Sequence, residues 1–122
     1  MGYQSFKELR VWQEARALAV TIYGLTATGK LAKDFGLREQ IQRAAVSVAS
    51  NIAEGYERNS DREFIRFLMI AKSSLSELRT QLDIAQGIGY LEQGVFVALE
   101  DRSMKLGAML TKLIKTRQKS GH

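Results

Sequence analysis

Apolar residues recur at alternating steps of four and three along the segment 64–85, and this spacing constrains the fold more than any other feature of the chain. The positions are Phe64, Leu68, Ala71, Leu75, Leu78, Leu82 and Ala85. A heptad repeat places one apolar stripe along an α-helix, and such stripes pack with a left-handed crossing of about 20°. No stretch of strict alternation, the pattern of a half-buried strand, competes with it. The segment therefore predicts a long helix that packs lengthwise against other helices.

Three further segments carry apolar residues at similar steps. They are Val11, Ala15, Leu18, Ile22 and Leu25 in the first, Leu37, Ile41, Ala44, Val48 and Ile52 in the second, and Phe96, Leu99, Leu106, Leu110 and Leu113 in the last. The predicted helices cover about 5–28, 36–58, 60–86 and 92–117. Four amphipathic helices of similar length with short links predict an all-α fold, an antiparallel up-down-up-down four-helix bundle with left-handed heptad packing.

Local signals indicate where the predicted helices begin and end. Ser5 followed by Glu8, and Ser60 followed by Glu63, are patterns typical of capping boxes. Gly29 stands where a C-terminal cap of the first helix belongs. The chain contains no proline, which breaks helix interiors and is common in loops, so its absence favours long helices with short connections.

Composition limits the classes of protein to which the chain can belong. With 122 residues, 45% of them hydrophobic and 25% charged, we expect a single globular domain over residues 1–122. The absence of cysteine excludes disulfides, thiolate catalysis and cysteine metal sites. No apolar run is long enough to span a bilayer, and the N-terminal residues lack the apolar region of a secretory signal. We therefore expect a cytoplasmic protein with no membrane partner.

The helix predicted at 60–86 is apolar on more than one side. The residues that flank its stripe are Ile65, Phe67, Met69 and Ile70. The apolar arc of the preceding helix is likewise wider than one bundle face needs, through Val46, Ala49 and Ala53. Because a helix that is apolar nearly all round is buried on more than one side, we expect Ile65, Phe67, Met69 and Ile70 at the interface of a homo-oligomer. The alternative is a wide internal core with a few ordinary exposed apolar residues.

Several polar residues occupy positions where helical spacing suggests burial. They form a predicted structural polar network: Arg43, Ser47, Asn51, Glu54 and Glu77. Glu77 lies seven residues from both Ile70 and Ile84, and a carboxylate buried on that line would need a partner, for which Arg43 is the best placed. These groups either face solvent or fix the helix register through ion pairs. The alternative is a catalytic pair of Glu54 and Glu77, which has no nucleophile or base beside it.

No known catalytic or metal-binding pattern is present. The single histidine is His122, the last residue, so the Glu-x-x-His pairs of di-iron bundles are absent. The glycines form no phosphate-binding loop, and no Walker, HExxH or GxSxG motif occurs. The sequence therefore predicts a protein that is not an enzyme, with no catalytic residues, no cofactor and no metal site.

The last predicted helix carries lysines on the side opposite its apolar stripe. Lys105, Lys112 and Lys119 repeat every seven residues, with Lys115 beside them, in a chain of net charge +5. Such a stripe is either a solvated face or a surface that contacts the phosphates of nucleic acid. There are few aromatic residues to stack on bases, so any binding should be mostly electrostatic.

Three segments together carry a family resemblance: FKELRVWQEA, FGLREQIQRAAVSVASNIAEG and EFIRFLMIAKSSLSELRTQLDIAQGIGYL. They resemble the four-helix bundle proteins encoded by intervening sequences in bacterial 23S rRNA genes, over about residues 6–113. The resemblance implies a cytosolic homopentamer with no established enzymatic activity. The family is similar to the accessory proteins of diversity-generating retroelements, which are basic pentamers that bind nucleic acid and a reverse transcriptase. The resemblance implies structural or assembly roles for the residues at its motif positions. These are Ser47, Asn51, Glu54, Gly55, Phe64, Ser74, Glu77 and Leu78.

Two hypotheses for function follow. In the first, the chain is a non-enzymatic oligomeric bundle that binds nucleic acid, either structured RNA, a ribonucleoprotein or DNA, through Lys105, Lys112, Lys115 and Lys119. In the second, it is a scaffold that recognises an unknown protein partner, and nucleic acid has no specific role.

Overall fold

The computed structural model describes residues 5–120, and every regular element within them is helical. A 3-10 turn at Phe6–Glu8 precedes five α-helices. These are α1 (Arg10–Leu25), α2 (Gly29–Lys33), α3 (Phe35–Tyr56), α4 (Asp61–Gly87) and α5 (Gln93–Ser120). The predicted all-α class is confirmed for this part of the chain, and α2 is an additional short helix in the predicted link. His122 lies outside the described residues.

The first long helix is shorter at both ends than its sequence signals predict: it begins at Arg10 and ends at Leu25. The Ser5 hydroxyl accepts a hydrogen bond from the Lys7 amide at 3.1 Å and caps the 3-10 turn, and Leu9 is extended before α1 begins at Arg10. Gly29 opens α2 with a φ of +71° and does not end α1. Both expectations for this helix were wrong, because each signal belongs to a separate short element.

The predicted apolar stripes form one core. All seven stripe residues of α4 are buried, as are Val11, Ala15, Leu18 and Ile22 of α1. Burying such stripes removes apolar surface from water, at about 25 cal/mol per Å², and supplies the main driving force for folding. The other buried apolar members of this core are Leu31, Ile41, Ala44, Ala45, Val48, Ile52, Leu91, Leu99, Leu106, Leu110 and Ile114.

The helices α3 and α4 make the most extensive contact in the fold. Ser47 contacts Ser74, and Gly55 contacts Phe67, so residue numbers rise along one helix as they fall along the other. A short link joins the two helices, in which Asn59 has a φ of +60°, a left-handed conformation that asparagine tolerates better than most residues. The Ser60 side chain then accepts a hydrogen bond from the Glu63 amide at 3.1 Å and caps α4, as its sequence pattern predicts.

Two ion pairs join α4 to α5. Asp61 at the start of α4 lies 3.0 Å from Arg117, near the end of α5. Further along α4, Arg79 pairs with Glu100, which lies in the first part of α5. The side chains of α4 and α5 therefore face each other along most of their length. None of the helices within residues 5–120 combines the length and the hydropathy needed to span a bilayer.

Candidate nucleic-acid and subunit interfaces

The lysine face of α5, defined by Lys105, Lys112, Lys115 and Lys119, is exposed to solvent. It lies on the side of the helix away from the buried Leu106 and Leu110. Lys105 is 3.1 Å from the Asp101 carboxylate, whereas the other three lysines have no ion pair within residues 5–120. The structure therefore places all four predicted residues on one surface, and three of them have no ion pair with another described residue.

A groove between α4 and α5 borders this face. It is formed by a cavity of about 480 Å³ and a second of about 250 Å³ that share lining residues. The residues that define the α4–α5 groove are Lys72, Ser76, Arg79, Ala108, Thr111 and Lys115. Lysines from both helices thus lie along a surface that also carries hydroxyl groups. Lys72 was missed in the sequence, where nothing distinguishes an isolated lysine on α4 from any other solvated lysine.

Arg79, which lines the groove, is paired with Glu100. Both guanidinium nitrogens of Arg79 that face Glu100 donate hydrogen bonds to its carboxylate, at 3.1 and 2.6 Å. These hydrogen bonds lower the pKa of the Glu100 carboxyl and raise the pKa of Arg79, because each charged form stabilises the other. No acidic residue lines either cavity. Lys72 and Lys115 therefore make the lining of the groove cationic, since Arg79 is already paired with Glu100.

Two residues of the predicted polar network, Ser47 and Asn51, form a cluster with Ser74 between α3 and α4. The hydroxyls of Ser47 and Ser74 are 2.9 Å apart, and Ser74 is buried. The Asn51 amide nitrogen donates to the Ser47 hydroxyl at 3.0 Å and to the Ser47 carbonyl at 2.8 Å. Polar groups in a helix interface cost little when they satisfy each other and favour one register over others. This small cluster joins the two helices that have the most extensive contact.

The remaining polar residues of the predicted network do not join this cluster. Arg43 lies 3.8 Å from Glu39 on its own helix, so the expected Arg43–Glu77 pair was wrong. Glu77 is exposed, as are its neighbours on the same line, Ile70 and Ile84. A carboxylate on that line is solvated and needs no partner.

Glu54 forms an ion pair with a residue of its own helix. Its carboxylate accepts a hydrogen bond from Arg58 at 2.9 Å, one turn along α3. Within the part of the chain that the structure describes, no three His, Cys, Asp or Glu side chains are grouped so that they could hold a metal ion.

The four residues predicted at a subunit interface are divided between interior and surface. Phe67 is only 8% exposed, and its ring lies beneath the guanidinium groups of Arg58 and Arg66, at 4.9 and 4.5 Å from the ring centre. Ile65 is partly buried against the core. Met69 and Ile70 remain exposed, at 52% and 37%. Ile65 and Phe67 thus pack within the chain, whereas Met69 and Ile70 are exposed on its surface.

A second apolar surface lies between α1 and α3. Its cavity of about 530 Å³ defines the α1–α3 groove, lined by Trp12, Val20, Tyr23, Val46, Ala49 and Ala53. Val20 is 57% exposed and Tyr23 is 48% exposed. The sequence signal for this surface is the wide apolar arc of α3, but the contribution of α1 was missed because Val20 and Tyr23 lie outside its stripe.

Comparison with known proteins identifies a family and solved structures of similar fold. A family model described as 23S rRNA-intervening sequence protein matches residues 7–112. The fold is similar to a crystal structure from Bacteroides thetaiotaomicron VPI-5482, a protein with unknown function from the S23 ribosomal protein family. The two chains are 25% identical with a TM-score of 0.78, and the match covers 86% of this chain and 98% of that one. No curated protein matches this sequence.

Proposed function

Since this chain belongs to the 23S rRNA-intervening sequence protein family, we propose that it is a non-enzymatic helical protein that binds nucleic acid through the lysine face of α5. The observation that carries this proposal is the exposure of Lys112, Lys115 and Lys119 on one side of a helix, where they have no ion pair with any residue from 5 to 120. Ammonium groups on flexible stems contact phosphates without reading bases, and they release counterions when they bind. The expected ligand is therefore structured RNA or DNA, bound with little sequence preference.

The proposed arrangement of the four long helices is an antiparallel up-down-up-down bundle with left-handed heptad packing. The opposed contacts between α3 and α4 support it, and so do the two ion pairs between α4 and α5. On the other side, the Gln42 amide of α3 donates to the Thr26 hydroxyl at the end of α1, at 2.9 Å. Such a bundle holds α5 straight and presents its lysines as one surface.

We also propose that the chain assembles with copies of itself, as a homopentamer by the resemblance of its sequence. The α1–α3 groove supports this proposal, because it places exposed apolar side chains of two helices side by side, where another copy of the chain could cover them. Ile70, which is exposed and lines neither cavity of the α4–α5 groove, is a further candidate for contact between subunits. Assembly would repeat the lysine face once per subunit and strengthen its electrostatic field.

A non-enzymatic role fits the positions of the carboxylates considered for catalysis. Glu54 is held by Arg58, and Glu77 is exposed on α4 without an ion pair within residues 5–120. A general acid–base pair needs two groups that converge on one reacting atom. Glu54 and Glu77 lie in separate environments, one in an ion pair and one in solvent, and this favours a non-catalytic role for each.

Titration of a labelled RNA hairpin over a range of salt concentrations tests the nucleic-acid proposal. We expect affinity to fall steeply with salt, and the triple variant Lys105→Glu, Lys112→Glu, Lys119→Glu to bind at least about tenfold more weakly than the wild type. The matched control is Lys7→Glu, Lys30→Glu, Lys33→Glu, which changes the net charge equally at exposed positions elsewhere. Equal losses in both variants, or no binding by the wild type, would contradict the proposal and favour a scaffold for a protein partner.

A further inference from the structure

We propose that the α4–α5 groove is the track that holds the phosphates of bound nucleic acid, with Lys72 and Lys115 as its main contacts. This inference rests on the function proposed above and assigns it a specific site. The two lysines line the same cavity of about 480 Å³ from opposite helices. The lysine face of α5 then forms one rim of the track and is not the whole of the binding surface.

The chemistry of the groove suits a phosphodiester backbone. Ser73, Ser76 and Thr111 bring hydroxyl groups to the same cavity as the two lysines. Phosphate oxygens take hydrogen bonds from hydroxyl donors and electrostatic attraction from ammonium groups, and both kinds of group are common in backbone contacts. The carboxylate of Glu100 is paired with Arg79, and no acidic residue lines either cavity of the groove.

The shape of the groove suits a polymer better than a single anion. Small residues, Ser103, Gly107 and Ala108, line its second cavity and leave room for close approach. The lining residues of α5 run from Ser103 to Gln118, which at about 1.5 Å per residue corresponds to about 22 Å. One strand of duplex DNA presents a phosphate about every 3.4 Å along the helix axis, so the groove is longer than the space that a single phosphate needs.

An acidic protein is a less suitable occupant. Protein interfaces depend on a few apolar or aromatic anchors that fill well-packed pockets. No aromatic residue lines either cavity of the groove, and every charged side chain that lines it is cationic; its apolar lining residues are Met69, Leu75, Met104, Ala108 and Ile114. We therefore propose nucleic acid as the occupant of the groove, and the experiment below includes an acidic polypeptide as a competitor.

The first variant pair tests charge at the groove. Lys72→Gln should weaken binding of the RNA hairpin about fivefold to tenfold and reduce the slope of log affinity against log salt by about one. Lys33→Gln, at an exposed position of α2, removes the same charge outside the groove and should change affinity less than about twofold.

The second pair tests the groove without changing charge. Ser76→Leu places a bulky side chain at a position that both cavities share, and we expect binding to weaken at least about fivefold. Thr80→Leu is the matched control, because Thr80 is exposed one turn further along α4 and lines neither cavity. Thermal melts of all variants identify any loss that comes from unfolding, and Lys72→Gln keeps the test valid if Ser76→Leu does not fold.

The outcomes separate this inference from the function on which it rests. Absence of RNA binding by the wild type would overturn both. If the triple variant on the lysine face loses binding while Lys72→Gln and Ser76→Leu bind as the wild type does, the function stands and the groove is overturned. If polyglutamate displaces the RNA and depends on Lys72 to the same extent, the choice of nucleic acid as the occupant is overturned.

Discussion

Gly55 of α3 and Phe67 of α4 lie so close that a Cβ atom on residue 55 would be 2.6 Å from the Cβ atom of Phe67. The same Cβ would lie 3.3 Å from the carbonyl oxygen of Phe64. The helices can approach this closely only because residue 55 has no side chain. The contact also explains why Phe67 is buried although it lies outside the apolar stripe of its helix.

Gly55→Ala is expected to destabilise the fold, because the added methyl group meets a Cβ atom and a backbone oxygen that cannot move independently of α4. We expect a loss of about 1–3 kcal/mol in the free energy of unfolding, measured by urea denaturation. The matched control is Gly24→Ala, where no atom lies within 4 Å of the added Cβ, and it should be neutral or slightly stabilising. Equal stabilities of the two variants would show that α3 and α4 can separate at little cost.

Phe67→Ala should act on the stability of the chain itself. Phe67 is 8% exposed, so truncation should cost about 3–5 kcal/mol in the free energy of unfolding and leave the mass measured by light scattering unchanged. Met69→Ala, at a side chain that is 52% exposed, should change the stability by less than about 0.5 kcal/mol if the chain is monomeric. A Phe67→Ala protein that keeps its stability but loses mass in light scattering would instead place Phe67 at the subunit interface.

Ser47 and Ser74 should show coupled contributions to stability. Their hydroxyls are 2.9 Å apart between α3 and α4, with Ser74 buried, so removing either one leaves the other without this partner. We expect each single alanine variant to cost about 0.5–1.5 kcal/mol, and the double variant to cost less than their sum. Strict additivity in this double-mutant cycle would mean that the hydroxyls do not interact in solution.

The pair Arg79–Glu100 should stabilise the fold at neutral pH but not in acid. Because Arg79 lowers the pKa of the Glu100 carboxyl in the folded state, the unfolded chain binds more protons as the pH falls below the ordinary carboxyl pKa. The contribution is therefore complete above the unfolded pKa and is lost as the pH falls through the folded one. We expect Glu100→Gln to be up to about 1 kcal/mol less stable than the wild type near neutral pH, since both groups are partly exposed.

Chemical denaturation over a range of pH checks this expectation. The difference in unfolding free energy between wild type and Glu100→Gln should shrink as the solution is acidified. Asp101→Asn is the matched control, because the Asp101–Lys105 pair is exposed on the surface of α5 and should contribute little. A difference that stays constant with pH would mean that Glu100 acts through its shape and hydrogen bonds alone.

The long helices could be predicted because one face of each must leave water. Leu68, Leu75 and Leu82 recur at heptad spacing and are all buried against the other helices. The start of a helix could be predicted from a capping residue only where that residue caps a long helix directly, as Ser60 caps α4. It failed at Ser5 and Gly29, which belong to short elements whose lengths no periodic pattern reveals.

The candidate sites were less predictable, since they depend on how the helices are rotated and spaced. The isoleucines at positions 70 and 84 suggested a buried line around Glu77, but this line faces outward in the described chain. Phe67 could be assigned to the interior only by knowing that Gly55 lies opposite it. Lys72 can be recognised as a candidate binding residue only from the position of α5, because nothing in the sequence of α4 distinguishes it.

The short turn at Asn59 has a consequence for the order in which the chain folds. It joins α3 to α4, whose contact is the most extensive in the molecule, so many native contacts form between residues that are near each other in sequence. Contacts of this kind cost little loop entropy and form quickly. The hairpin of α3 and α4 is therefore expected to form early, with α1 and α5 docking onto it afterwards. Substitutions in the hairpin should then slow folding, whereas those in α5 should mainly speed unfolding.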